Sequence, residues 1–314
     1  MNIPIKPPLV SIVIATYNGE KFLRKQLDSV FNQTYKNIEI IAVDDCSTDN
    51  TVDILNEYAA QHDSFTVVRN EHNLGYVKNF EKGFLLANGN YIAPCDQDDV
   101  WLSTKIEVLV NHIGDHAIVY CDSEFIDGTG QSLNTKMSET KTLTDFDSPL
   151  MYIEVGISAL GHAILIQKEV VLAAMPFPIL FSHDNWLGFV ATFDSSVKFV
   201  NEVLVQYRRH DTNLTNALLK KDRKKNIPKR TRQERIENAQ QRLQTLYEKC
   251  PVHLPEKEII GQLRKSHDDY SLRNNFLRMR LFFQHRDKIL LHKKYRHTEL
   301  KRCLHCIKTF FKTI

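Results

Sequence analysis

Asp96-Gln97-Asp98-Asp99 follows the apolar run Tyr91-Ile92-Ala93-Pro94-Cys95. Two carboxylates at i and i+2 on a turn can converge on one hard divalent cation. Mn2+ and Mg2+ prefer oxygen ligands and keep positions open for phosphate oxygens. Asp96 and Asp98 have that spacing, and Asp99 is placed to cap a helix beginning near Trp101. Two earlier apolar runs also end in polar residues. Residues 8–15 lead into Thr16-Tyr17-Asn18-Gly19, and residues 38–43 lead into Asp44-Asp45. Further on, Ser182-His183-Asp184-Asn185-Trp186 reads as a loop entering a helix, and residues 197–207 run into Tyr207-Arg208-Arg209-His210.

The elements that position these groups alternate. Apolar runs at 8–15, 38–43, 65–68, 90–95 and 116–121 read as buried strands. Between them, residues 20–33, about 50–60, 75–87 and about 102–113 carry apolar positions at helical spacing. This order predicts an α/β fold, a mostly parallel sheet flanked by helices. The carboxyl edge of such a sheet is where ligands bind. Residues 122–148 are polar with Gly128 and Gly130 and read as a hairpin and loop. Residues 157–167 and 197–207 return to strand character. The charge run 218–230 reads as a linker or basic arm, and helices are expected over 231–249, 256–282 and 284–300. No repeat of fixed period runs through the chain.

The 314 residues are 42% hydrophobic and 25% charged, an ordinary globular balance. No run of eighteen or more apolar residues is present, which excludes a multi-span membrane protein. The opening MNIPIKPPLVSIVIATYN lacks a cleavable signal pattern, and its apolar run is a strand. Six scattered cysteines point to a reduced, cytoplasmic setting. Cys303 and Cys306 form a CxxC with no second ligand pair at workable spacing for zinc. The net charge of +3 conceals an asymmetry. Residues 220–314 hold 26 Lys and Arg against 10 Asp and Glu, whereas residues 1–219 hold 15 against 28. The expected domains are therefore 1–217 and a basic helical region, 218–314. A basic region of this kind can serve nucleic acid, an anionic membrane surface or an acidic partner. No nucleic acid is expected as partner, because the aromatic residues lie at helical spacing suited to packing.

The blocks VSIVIATYNGEKFLRKQLDSVFNQTYKNIEIIAVDDCSTDNT (10–51) and EHNLGYVKNFEKGFLLANGNYIAPCDQDDVWLSTKI (71–106) resemble the family 2 glycosyltransferases in order and spacing. The resemblance runs to about residue 216. It implies the GT-A nucleotide-sugar fold, an activated-sugar donor and a divalent cation, Mn2+ or Mg2+. It places Ala15, Thr16, Tyr17 and Asn18 around base and ribose. Asp45 would accept the N3–H of uracil or thymine in a UDP- or dTDP-sugar, with Asp44 supporting that loop. Asn73, Gly75, Lys78 and Asn79 would shape the ribose and diphosphate region. Asp96 would meet ribose or sugar and share the metal, and Asp98 would ligate the metal.

Asp184 matches the acidic residue that opens the acceptor-facing helix and acts as general base, which implies inversion. VQYRRHDTNLTN (205–216) is similar to a block of rhamnosyltransferase-like members, with Arg208 and Arg209 toward the diphosphate and His210 in the metal shell. The expected activity is transfer of rhamnose or another hexose to a hydroxyl of a growing, lipid-linked cell-surface glycan. That would occur in the cytoplasm, peripherally on the inner membrane. Transfer of galactose, glucose or N-acetylhexosamine in capsule or lipopolysaccharide assembly is the alternative. A non-catalytic nucleotide-sugar or membrane-binding protein of the same fold is the alternative of another class.

Overall fold

Val10, Ile12, Val13 and Ile14 have no exposed surface, so the strand they belong to, Val10–Thr16 (β1), is covered on both faces. It pairs in parallel with Ile38–Asp44 (β2) on one side and Tyr91–Asp96 (β4) on the other, and Phe65–Arg69 (β3) lies outside β2. The crossovers are the helices Glu20–Phe31 (α1), Thr51–Ala59 (α2) and Tyr76–Leu86 (α3). Helix α1 buries Phe22, Leu23, Leu27 and Val30, the one-sided set that its spacing predicts. Helix α3 lies directly on β1. A Cβ at Gly83 would come 2.3 Å from a methyl of Val13, so only glycine permits that approach. The register sets Thr16 beside Asp44, Ala15 beside Asp96, and Asp44 beside Arg69. The polar strand ends therefore share one carboxyl edge.

This structure is a computed structural model that describes residues 7–154, 159–211, 231–291 and 298–311. Beyond β4 the sheet continues through Ile164–Gln167 (β8), Ile118–Ile126 (β6) and Val197–Arg208 (β9) to Val100–Trp101 (β5), with Ser132–Lys136 (β7) paired to β6. The strand order is β3-β2-β1-β4-β8-β6-β9-β5. The long pairings, including β6 with β9, are parallel, whereas β4 with β8 and β5 with β9 are antiparallel over two residues each. Helices Lys105–Ile113 (α4), Met137–Thr140 (α5), Lys168–Ala174 (α6) and His183–Ala191 (α7) complete this part. The helix expected from 102 starts three residues later. Val100 and Trp101 first pair with Gln206 and Val205, which carries Trp101 into the core before the chain turns.

The chain divides into two compact units. The first comprises Met1–Asp145, Ser158–Ala191 and Ser195–Arg209 and holds the whole sheet; the second comprises Phe146–Ile157, Thr192–Asp194 and His210–Ile314. The boundary expected at 217/218 and the charge run 218–230 lie outside the described residues. The second unit is helical: Arg232–Lys249 (α8), Glu256–Lys265 (α9), Leu272–Gln284 (α10), Arg286–Ile289 (α11) and Glu299–Phe311 (α12). A capping box opens α8. Thr231 Oγ1 accepts from the Glu234 N–H at 3.2 Å, and Glu234 Oε2 accepts from the Thr231 N–H at 2.7 Å. The single helix expected over 256–282 is instead two. Asp269 accepts from the Ser271 N–H, and Ser271 caps α10 by accepting from the Asn274 N–H, so local side-chain bonds win over helix continuation. All six cysteines are free thiols, and His305, between Cys303 and Cys306, pairs with Glu154 at 2.8 Å. Among the described residues no helix is long and apolar enough to cross a membrane.

His267, just before this break, is buried, with Nδ1 bonded to the Leu263 carbonyl at 2.8 Å. Burial pushes its pKa down to about 4. The unfolded chain therefore binds more protons between about pH 6.5 and 4, and this contribution to stability is lost as pH falls through that window. The expected loss is on the order of 3 kcal/mol. Urea unfolding of the protein and of His267→Gln should show their stability difference shifting by that amount across the window. A constant difference would mean that His267 titrates normally.

Candidate active site

Asp96 is the last residue of β4, and the three residues after it form a tight acidic turn. Arg208, buried at the end of β9, fastens that turn. Its N–H donates to Asp99 Oδ1 at 2.9 Å, its Nε donates to the Asp98 carbonyl at 2.8 Å, and its Nη1 donates to the Asp127 carbonyl at 3.1 Å. Its guanidinium also lies over the Phe22 ring. The guanidinium thus meets main-chain oxygens, and the Arg208 main-chain N–H holds the Asp99 side chain. Arg209 is exposed, its guanidinium stacked over Phe125. Gln97, between the aspartates, clips the opposite loop: it accepts from the Tyr17 N–H at 2.9 Å and donates to the Tyr17 carbonyl at 3.0 Å.

Asp96, Asp99 and His162 each offer one ligand atom, and these atoms lie within 4.8 Å of one another. Asp99 Oδ2 is buried without a hydrogen-bond partner, an uncompensated acceptor of the kind a cation would satisfy. Ser123 Oγ holds His162 Nε2 at 2.7 Å, which fixes the ring. Two carboxylates and an imidazole suit Mn2+ or Mg2+ in ligand type. Asp98, half-buried, is outside this group, and His210 begins the second unit. Burial, with Asp98 and Asp184 nearby, pushes Asp96 up to about 7. Burial first, then Asp98 and Asp96, holds Asp99 well above the usual carboxylate range. The counter-charge is Lys105. It is wholly buried, donates to the His162 carbonyl at 2.9 Å and sits 3.2 Å over the Trp101 ring, and burial lowers its pKa to about 8.

At the β2 end, Asp44 is consumed by the loop. It accepts from Thr16 Oγ1 at 3.1 Å and from the Ser47 N–H at 2.9 Å. Asp45, also buried, accepts from Asn70 Nδ2 and the Leu74 N–H at 2.8 Å on Oδ1, and from the Gly75 N–H at 2.9 Å on Oδ2. Asn73 donates to the Asp45 carbonyl and accepts from the Gly75 N–H. Gly75 adopts φ +79°, which glycine tolerates, and turns the chain into α3. Asn79 is buried, tying α3 to the Val43 carbonyl at 2.8 Å, and Lys78 pairs with Glu81. Asn18, at φ +48°, accepts from the Thr48 N–H, and Ala15 is half-buried beside Asp96. The Tyr17 side chain stands about half exposed above this edge.

Asp184, in the first turn of α7, reaches the same edge. Its charge raises the pKa of Asp96, and Asp184 and Asp96 together raise that of Tyr76 after burial. Gly161 makes this approach possible. A Cβ there would lie 2.7 Å from His183 Nε2 and 3.3 Å from Asp184 Cβ. Gly161→Ala should therefore displace the start of α7, costing about 1–3 kcal/mol in stability and lowering turnover more than donor affinity. Unfolding curves and a kcat-against-donor-Kd comparison check this, and unchanged turnover would free the α7 start from that constraint. Gly161, Lys105 and His162 are absent from the motif reading. Lys105 had a signal, because it shares a helix face with Leu109 and Ile113, where a cation must be buried.

The curled sheet with its acidic carboxyl edge is the GT-A fold. The chain superposes on the crystal structure of TarS 1–349 of S. aureus with UDP-GlcNAc at a TM-score of 0.59 and 15% identity, covering 97% of this chain and 81% of that one. Residues 11–168, half of the chain, match the profile of Glycosyl transferase family 2. An uncharacterized glycosyltransferase of Rickettsia typhi is 34% identical over 221 residues, 68% of this chain and 67% of that protein. The UDP-Glc:alpha-D-GlcNAc-diphosphoundecaprenol beta-1,3-glucosyltransferase WfaP of Escherichia coli is 36% identical over 117 residues, 37% of this chain and 46% of that protein. The chain belongs to glycosyltransferase family 2.

Proposed function

We propose that this glycosyltransferase moves a hexosyl or deoxyhexosyl group, rhamnose or another hexose, from a UDP- or dTDP-sugar to a hydroxyl of a growing, lipid-linked cell-surface glycan, with inversion. The acceptor would be met at the cytoplasmic face of the inner membrane. The observation that carries the reading is the convergence of Asp184 with Asp96 at the sheet edge beside Tyr76. A carboxylate opposite an acidic donor site is the arrangement an in-line displacement needs. Asp184 takes the proton of the acceptor hydroxyl as it attacks the anomeric carbon. Asp96 and Asp99, with His162, would hold Mn2+ or Mg2+; the family resemblance offers Asp98 and His210 as the alternative partners of Asp96. A cation bound there would supply stabilisation of the charge developing on the leaving diphosphate.

Asp45 has acceptor capacity left for a pyrimidine N3–H, since a carboxylate offers about four lone-pair sites and three donors are in place. Ala15, Thr16, Tyr17 and Asn18 line the base side, and Asn73, Gly75, Lys78 and Asn79 build the loop and helix start beneath the ribose and diphosphate. Arg208 serves the site by fixing the acidic turn, and Arg209 is the exposed cation beside it. Transfer of glucose, galactose or N-acetylhexosamine is the second reading, favoured by the UDP-glucose donor of WfaP and the UDP-GlcNAc bound to TarS.

A thermal-shift panel of UDP- and dTDP-sugars with and without Mn2+ tests both, because a ligand of the native state raises its apparent stability. The expected result is a manganese-dependent rise with one pyrimidine donor. A rise confined to purine donors, or none with any donor, would overturn the proposal.

A further inference from the structure

Two helices of the second unit carry one side-chain pattern on the face opposite their packing. In α10 the buried positions are Asn275, Arg278, Leu281 and Phe282, while Leu272 is 76% and Phe276 56% exposed, with Met279 and Phe283 half-buried along the same line. In α12 the buried positions are Arg302, Cys306 and Thr309. Leu300, Leu304, Ile307 and Phe311 are all exposed. Each apolar rib falls at i, i+4, i+7 and i+11, within roughly 60° of helix circumference. In each helix an exposed cation follows at i+1 and i+8: Arg273 and Arg280 beside the first rib, Lys301 and Lys308 beside the second. The two sets are 28 residues apart and superpose position for position, from Leu272 on Leu300 to Phe283 on Phe311.

A helix packed on a core turns its apolar stripe inward. These two bury Asn275, Arg278, Arg302 and Thr309 beside Leu281, Phe282 and Cys306, and leave a second apolar stripe outside. Arg278 donates to the Thr309 and Ser266 carbonyls, and Arg302 reaches Asp287. The apolar ribs face outward. Helix α10 contains no acidic residue, and the only one in α12, Glu299, is held by Arg286 and Arg302. We propose that the two ribs are a docking surface for an anionic lipid bilayer. The apolar side chains enter the boundary between headgroups and acyl chains, and Arg273, Arg280, Lys301 and Lys308 lie among the lipid phosphates. Charge selects this occupant. A second copy of the chain would bring one row of cations against another, whereas an anionic surface neutralises both rows. The inference rests on the reading that the acceptor is lipid-linked, and it names the surface that would meet the membrane.

The test is co-sedimentation of the full chain with vesicles of phosphatidylglycerol and phosphatidylcholine in equal parts, and with pure phosphatidylcholine. Binding is expected only to the anionic vesicles. Phe276→Ser with Leu304→Ser should weaken it at least about tenfold, and so should Gln at all four cations. Both variants change exposed side chains, and both should keep the donor-induced thermal shift. Equal binding to neutral vesicles, no binding to anionic ones, or unaltered binding by either variant would overturn the proposal. So would a Ser variant that changed the sedimentation coefficient from dimer to monomer, which would assign the ribs to a second copy. Vesicle binding that survives the loss of every donor shift would leave the docking surface standing and overturn the donor reading alone.

Discussion

Asp184→Asn is expected to lower single-turnover rate by at least about 10²-fold, the scale of lost general-base catalysis, and to leave donor affinity unchanged. The substitution keeps size and hydrogen-bonding shape at the start of α7, so it separates chemistry from architecture. Asn keeps an acceptor oxygen at that position, but it cannot take a proton from an acceptor hydroxyl. In the proposed reading donor binding is carried by Asp45, the 70–75 loop and the acidic turn, whereas Asp184 stands in the first turn of α7. The measurement is a split: rapid-quench turnover at saturating donor against donor Kd by titration. A rate within a few fold of the parent would reduce Asp184 to a residue of the helix terminus. A rise in donor Kd with the rate unchanged would move it to the donor side of the site. Only a large rate loss at constant Kd fits a base acting on the acceptor.

Much of this site was legible because it sits where unambiguous elements end. β1, β2 and β4 are apolar apart from Ser11 and Glu39, a pattern that buried parallel strands produce, and each stops at a polar residue. Thr16, Asp44 and Asp96 are therefore placed on one edge by periodicity and topology alone. The rest of the site converges from distant chain positions. Lys105 meets the His162 carbonyl across 57 residues, and Arg208 meets Asp99 across 109. No local spacing encodes those contacts. The antiparallel insertion of β8 beside β4 is illegible for the same reason, since its two-residue pairing leaves no signature in a four-residue strand. The break between α9 and α10 failed differently. Apolar residues continue at helical spacing through it, but Asp269 and Ser271 offer the backbone a better local partner.

The choice of metal-holding carboxylates gives the other large effect. Spacing pairs Asp96 with Asp98, whereas geometry groups Asp96 with Asp99 and His162. Asp99→Asn should reduce Mn2+ affinity by at least about 10²-fold, a loss on the scale of disabling a metal site, and abolish the Mn2+-dependent donor shift. The same substitution should leave the metal-free protein as stable as the parent or more so. Asn can keep accepting from the Arg208 N–H through its oxygen, and it removes a buried, unpartnered carboxylate oxygen beside two other carboxylates. Asp98→Asn is the matched comparison, because Arg208 grips residue 98 through its carbonyl and the grip survives the change. If the geometric grouping holds the ion, Mn2+ titration of Asp98→Asn stays within about tenfold of the parent while Asp99→Asn does not. The reverse order would return the site to the i, i+2 pair and make Asp99 a buried brace for the turn. Turnover alone does not discriminate, since in the proposed reading either carboxylate would border the leaving diphosphate. Metal affinity does, because the ion responds first to the oxygens that touch it.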